Sequence, residues 1–319
     1  MKIINNSHAL RAKLKRIQKE KTHSCIALKL PVRTRWGSIL ACFKSLLESK
    51  SALKILTVEE DGDKVLDQKL STIILDEKGF WERVDIMTKI FQSIVKWIIL
   101  LESDDPKISE VPEAFKNINE SLIELLPASP LTNQEKKEIK TAFAKRKGMA
   151  VKFIHFAANL LDPKFKGESL SSCEQIQGLE FIEKLSTIMD ASLQKSILKE
   201  LAEYRATEGF FAIPYVSKSA CTVDPIVWWK GTCFGSNLGK LAVKILSMPA
   251  STAATERSFS TYGFVHSARR NRLTVDRAGM LTYVAHNLKL MRDCGRKNKI
   301  ESVEADDDYL DAISDTESD

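Results

Sequence analysis

The sequence predicts a mainly α fold. Apolar residues recur at helical spacing in one segment after another, and several of these segments open on a capping residue and stop at proline. A chain of 319 residues that is 44% hydrophobic can bury a real core and make one or two domains. Its longest apolar stretch, around Trp97-Ile98-Ile99-Leu100-Leu101, is far below the roughly 20 residues a bilayer helix needs. The polar, basic N-terminus lacks the apolar core of a signal peptide. No membrane partner is therefore expected, and a nuclear or cytoplasmic address is the default.

In chain order, Leu10, Leu14 and Ile17 mark an amphipathic basic helix among Lys13, Lys15, Arg16, Lys19 and Lys21, followed by a short apolar run from Cys25 to Leu30. Trp36, Ile39, Leu40, Phe43, Leu46 and Leu47 form one apolar helical face, with Thr34 near its start. Trp36 opens that face and reads as packing rather than as a stacking platform. A second helix is expected from about Phe80 to Leu101, with Phe80, Val84, Met87, Phe91, Ile94, Val95, Ile98 and Leu101 on one side. Trp81 and Trp97 widen its stripe enough for more than one neighbour.

The helical pattern from Asn119 to Leu126 ends at Pro127-Ala128-Ser129-Pro130, and Thr132 to Glu135 can cap the next helix, which carries Ile139, Phe143 and later Val151 and Ile154. Asp162 before Pro163 reads as a helix-end turn residue. One helix is expected from Phe181 to Tyr204, then a linker over residues 210–223, then a helix with Leu238, Leu241, Ala242, Ile245 and Leu246 that stops at Pro249. The last helix begins near Thr274, a good N-cap with Asp276 in the first turn, and carries Leu281, Val284, Leu288 and Met291 with Met280 beside them.

Six cysteines and five histidines are scattered without a C-x-x-C pair or a close Cys/His cluster, so neither a zinc module nor a disulfide framework is signalled. Free, mostly buried thiols are expected. The formal charge of +6 hides an asymmetry. Nine of the 42 acids and none of the 48 Lys and Arg residues lie in residues 301–319, so the first 300 residues carry +15 (48 cations against 33 acids). Such a body favours polyanions, and the acidic tail, expected to be disordered, can compete for the same basic surface.

The run Met248-Pro249-Ala250-Ser251-Thr252-Ala253-Ala254-Thr255-Glu256-Arg257-Ser258-Phe259-Ser260, followed by Ser267-Ala268-Arg269-Arg270-Asn271-Arg272-Leu273-Thr274, puts a carboxylate and arginines on a small-residue helix beside a basic loop. It resembles the C-terminal signature of hAT-family DNA transposases. Two further segments resemble the same family in the family's order: His155 to Gly167, with its L-D-P helix end, and Asp224-Pro225-Ile226-Val227-Trp228-Trp229. Arg33-Thr34-Arg35-Trp36-Gly37-Ser38 is similar to the family's R-W motif.

The resemblance implies a helical insertion domain followed by the C-terminal helices of an incomplete RNase H-like domain. The corresponding boundaries are a basic N-terminal remnant (1–32), the insertion (33–209), the linker (210–223), a dimerisation and closing region (224–295) and the acidic tail (296–319). It also implies that Glu256 is the third acid of a two-metal nuclease site, which needs several carboxylates. The first two would precede the R-W motif, yet Met1 to Leu30 contain no aspartate and only Glu20, and the family's zinc-binding BED finger has no counterpart.

Glu256 is therefore expected to be vestigial, with no metal or other cofactor, and the chain to be a non-catalytic, nuclear module that dimerises and binds DNA. Its partner would be a second copy or a full-length hAT relative. The alternative is the C-terminal part of an active transposase, which would use Mg²⁺ or Mn²⁺ to cleave and join DNA strands once the missing acids are supplied.

Candidate DNA contacts are Arg33, Arg35, Arg257, Arg269, Arg270 and Arg272, since guanidinium groups meet phosphates as forked donors. Arg257 can instead hold Glu256 in an ion pair, and the loop arginines can instead be a solvated charge run. Phe259, Tyr262, Phe264, Leu281 and Val284 are the expected dimer interface. The bland alternative is that they fill the core of one chain.

Overall fold

The structure, a computed structural model, describes residues 1–22, 25–32, 36–58, 66–266 and 273–300. These contain sixteen α-helices and no strand, so the fold is mainly α. The helices are α1 (Lys2–Asn6), α2 (His8–Thr22), α3 (Trp36–Glu48), α4 (Lys50–Val58), α5 (Gln68–Leu75) and α6 (Glu82–Leu101). They continue with α7 (Val111–Leu125), α8 (Asn133–Ala150), α9 (Phe153–Leu161), α10 (Ser172–Met189) and α11 (Gln194–Ala206). The last five are α12 (Pro214–Ser219), α13 (Pro225–Gly231), α14 (Asn237–Leu246), α15 (Ala253–Val265) and α16 (Val275–Ile300). No helix among the described residues is long and apolar enough to cross a membrane.

The chain divides into two compact units. The first comprises Met1–Trp97 with Asn117–Ala144, and the second Ile98–Lys116 with Lys145–Glu304. In the first, Leu10, Leu14 and Ile17 of α2 are buried with Leu53 and Leu56 of α4, and Trp81 closes this core with its indole N–H donating to the Ile74 carbonyl at 2.7 Å. A separate core in the same unit gathers Ile86 and Ile90 of α6 with Ile118 and Leu122 of α7, and Trp97 packs against it. The two tryptophans thus serve different neighbours, as the widened stripe predicts.

The run Cys25–Leu30 forms neither helix nor strand, and polar side chains of nearby helices hold its backbone. Gln18 both donates to and accepts from Ile26, Asn5 donates to the Leu28 carbonyl, and Ser45 Oγ accepts from the Lys29 amide. This explains why Gln18 and Ser45 are buried polar residues. At the other end of this unit, Thr132 and Glu135 form the reciprocal cap read from the sequence. The Thr132 amide and hydroxyl donate to Glu135, and Thr132 Oγ1 accepts the Glu135 amide at 3.3 Å.

In the second unit, α9 ends at Asp162 in the extended conformation that Pro163 imposes. Asp162 acts as the turn residue: one carboxylate oxygen accepts the Lys164 amide at 2.9 Å and the other the Ser109 hydroxyl at 2.7 Å. Burial pushes this carboxyl above the usual aspartate value, more than the Ser109 and Lys164 hydrogen bonds lower it. The turn closes at Gly167, where φ is +76° and an added Cβ would lie 2.5 Å from Leu160 Cδ2.

Three expectations are corrected. The single helix expected over Phe181–Tyr204 is two, α10 and α11, because Asp190 Oδ1 accepts both the amide and the hydroxyl of Ser192 and turns the chain between them. Residues 210–223 are not simply a linker. They fold as a 3₁₀ turn (Gly209–Ala212) and α12, with Phe211 and Val216 buried in the unit's core. Of the five cysteines whose side chains are described, all free, only Cys42 and Cys233 are buried, while Cys25, Cys173 and Cys221 are exposed.

Candidate dimerisation face and the Glu256 site

The scaffold of this site is an aromatic core. Asp224 caps α13 by accepting the Ile226 and Val227 amides at 2.9 and 3.1 Å, with Pro225 in the first turn where its missing N–H costs nothing. This cap sets Trp228 and Trp229 facing inward. Their rings lie edge to face at 4.9 Å, and Tyr204 and Phe211 complete the cluster. The Trp229 indole donates to the Leu161 carbonyl at 2.8 Å, which joins the W-W segment to the L-D-P turn, and the Trp228 indole donates to Ser219 Oγ at 3.1 Å.

Helix α14 is capped twice, by its own Ser236, which accepts the Gly239 amide at 2.8 Å, and by Glu200 of α11. Glu200 accepts the Leu238 amide at 3.0 Å and the Ser236 hydroxyl at 2.5 Å. Burial raises this carboxyl, but the hydrogen bonds from Ser236, Leu238, Ser196 and Asn237 outweigh it and hold it below the ordinary glutamate value.

Beyond Pro249 the character of the surface changes. Ser251 donates to the Leu101 carbonyl at 3.4 Å and accepts the Ala253 amide at 3.3 Å, which seats the start of α15. Thr274 caps α16 as expected, its Oγ1 accepting the Arg277 amide at 3.4 Å. The two helices pack on each other, and the residues of α16 that become buried are the small ones, Ala278 and Thr282. The large apolar side chains point outward. Phe259 is 68% exposed, Phe264 77%, Leu281 48% and Val284 51%, while Tyr262 is half-buried and stacks on His266 at 5.6 Å. Met280, Tyr283, Leu288 and Met291 extend the same open surface.

Glu256 lies in the first turn of α15, exposed, with its carboxylate accepting the Thr252 hydroxyl at 2.8 Å. Arg257 does not pair with it. Its guanidinium donates to Asp104 at 2.5 Å, and Lys289 of α16 approaches the other Asp104 oxygen at 3.9 Å. Burial raises the Asp104 carboxyl, but the Arg257 hydrogen bond and the charges of Arg257, Lys289 and His286 prevail and lower it. Glu102 shifts the other way, raised by burial and by repulsion from Glu256 against the attraction of Arg257. Arg257 thus clasps the turn after α6 to α15. Neither Asp104 nor Glu102 was singled out from the sequence, since nothing in their local spacing announces a partner about 150 residues away.

Among the described residues no three His, Cys, Asp or Glu side chains are grouped to hold a metal ion. Arg33, Arg35, Arg269, Arg270 and Arg272 lie outside the described residues.

Residues 209–288 match the family model of the hAT family C-terminal dimerisation region. Over this stretch the chain is similar to an hAT dimerisation region. The match takes in the 3₁₀ turn, helices α12 to α15 and the first half of α16, so the tryptophan core and the open apolar face belong to one region. A dimerisation region points to a role in oligomer assembly. No curated protein matches the chain.

Proposed function

We propose that this chain is a non-catalytic, transposase-derived nuclear module that dimerises through the exposed face of α15 and α16 and binds DNA. The observation that carries the reading is the outward placement of Phe259, Phe264, Leu281 and Val284 inside a region matched to hAT dimerisation. A cluster of large exposed apolar side chains marks a surface that a partner covers. The partner is a second copy or a full-length hAT relative, since both would present the same region.

DNA binding is supported by the +15 charge of the first 300 residues and by the arginines at 269, 270 and 272, just before the N-terminus of α16, where cations and helix dipole both favour phosphate. For Arg257 to join them it would have to release Asp104. The non-catalytic part is supported by the surroundings of Glu256, whose carboxylate accepts the Thr252 hydroxyl and whose neighbour Arg257 is engaged with Asp104. No cofactor enters the proposal.

Light scattering on the purified chain at micromolar concentration should give at least a dimer mass, and a monomer overturns the assembly claim. Incubation with supercoiled DNA and Mg²⁺ or Mn²⁺ should produce no nicking. Metal-dependent cleavage that Glu256→Gln abolishes would show a working nuclease centre instead.

A further inference from the structure

Helix α2 has two faces, and packing has already assigned one of them. Leu10, Leu14 and Ile17 are at most 5% exposed, held in the core with α4. The outward face carries Arg11, Lys15 and Lys19, all exposed, at positions i, i+4 and i+8. Three cations therefore follow one line along the helix over about 12 Å. Lys15 and Lys19 make no side-chain ion pair among the described residues. The only acid of the helix, Glu20, sits 4.0 Å from Arg16 to one side of that line. Arg11 donates to His8 Nδ1 at 3.1 Å, which orients the guanidinium without cancelling its charge, since an imidazole nitrogen that accepts is unprotonated.

We infer that the outward face of α2 is a contact site for the phosphate backbone of nucleic acid. Three kinds of polyanion could meet such a stripe. A helix lying on an anionic membrane inserts its apolar face, and in α2 that face is inside the protein. An acidic peptide such as the chain's own residues 301–319 carries carboxylates at irregular intervals. A nucleic-acid strand presents a charge about every 3.4 Å of its axis, so a 12 Å row of cations covers about three or four phosphates. Lysine ammonium groups on flexible stems follow such a track whatever the base sequence, so this contact sets affinity rather than sequence preference. The site rests on the DNA-binding part of the proposed function and adds a second contact on a different helix.

The test is a salt series of fluorescence anisotropy with a labelled 30-base-pair duplex of random sequence, using four proteins. These are the full chain, the triple variant Arg11→Gln/Lys15→Gln/Lys19→Gln, the double variant Lys15→Arg/Lys19→Arg and the triple variant Arg269→Gln/Arg270→Gln/Arg272→Gln. The α2 variant should weaken binding by about tenfold or more near 100 mM salt and flatten the slope of log K against log salt by about two to three. Lys15→Arg/Lys19→Arg should retain both. Unchanged affinity and slope in the α2 variant, with binding lost in the 269–272 variant, overturns the α2 site and leaves the proposed DNA reading standing. A full chain that binds no duplex overturns both. Phosphatidylserine vesicles and a synthetic peptide of residues 301–319 are run in parallel, and an α2 variant that loses either of these but keeps duplex binding also overturns the inference. The thermal midpoint of the α2 variant should match that of the full chain, because the three positions are exposed.

Discussion

Between Asp224 and Leu246 most of the large apolar side chains turn inward, Val227 and Phe234 excepted, whereas between Phe259 and Met291 most turn outward, although both stretches are helical and fall largely within one matched region. Helices α13 and α14 give Trp228, Trp229, Leu238, Leu241, Ile245 and Leu246 to a core shared with α9 and α11. Among the described side chains α15 buries none and α16 only Ala278 and Thr282, and the two helices tie to the rest of their unit through Ser251 and the Arg257–Asp104 pair. The contrast separates two tasks: the first half anchors the region to its own chain, and the second presents it to another. It also separates their energetics. The anchor rests on full burial, while the Arg257 pair is partly exposed, and pairs of that kind are worth about 0–1 kcal/mol.

The largest effect should come from the anchor. Trp229→Ala removes a ring that is 1% exposed together with its hydrogen bond to Leu161, and should cost about 3–5 kcal/mol, read as a lowered urea midpoint. A loss below about 1 kcal/mol would mean that this core does not carry the region. Tyr204→Phe sharpens the same point in the other direction. Its hydroxyl is buried with no hydrogen-bond partner, so deleting it should leave stability unchanged or raise it by about 1 kcal/mol.

Acid should act on the anchor through Glu200. Its folded pKa lies below its unfolded value, so its contribution is present above the ordinary glutamate pKa and is lost as pH falls through the folded one. Glu200→Gln should therefore flatten the fall of the urea midpoint in that acid window. An unchanged acid profile would remove Glu200 as the cap that responds to pH.

The smallest effect on folding, and the most informative about the partner, is expected at the open face. Leu281→Asp/Val284→Asp should change the unfolding free energy of the monomer, measured at a dilution where the parent chain is also monomeric, by no more than about 0.5 kcal/mol, as for exposed positions, yet shift the light-scattering mass at micromolar concentration to that of a monomer. Equal loss of stability and association would show that these side chains belong to the chain's own core.

Much of the fold can be read from local chemistry. The periodic stripes locate α2, α3, α6, α14 and α16, and the Asp162-Pro163 turn, the Thr132–Glu135 cap and the Thr274 cap follow from residues within one helical turn of each other. Ser171 and Glu174 form a capping box at the start of α10 whose S-x-x-E spacing could also have been recognised, and it would have placed that helix start correctly. The break at Asp190 was hidden by an apolar pattern that continues through it, because periodicity records burial and not the side-chain hydrogen bonds that turn a chain. Residues 210–223 resembled a linker because their apolar residues lack a helical period, yet Phe211 and Val216 are needed to close the aromatic cluster.

By itself the sequence determined the helical character of the chain, several of its caps and the candidate apolar set Phe259, Tyr262, Phe264, Leu281 and Val284, since each depends on residues close together in the chain. Only the tertiary structure decided which stripes are covered, that Arg257 goes to Asp104 rather than Glu256, and that Leu161 receives the Trp229 indole. Those outcomes depend on which distant elements meet, and spacing along a chain holds no record of that.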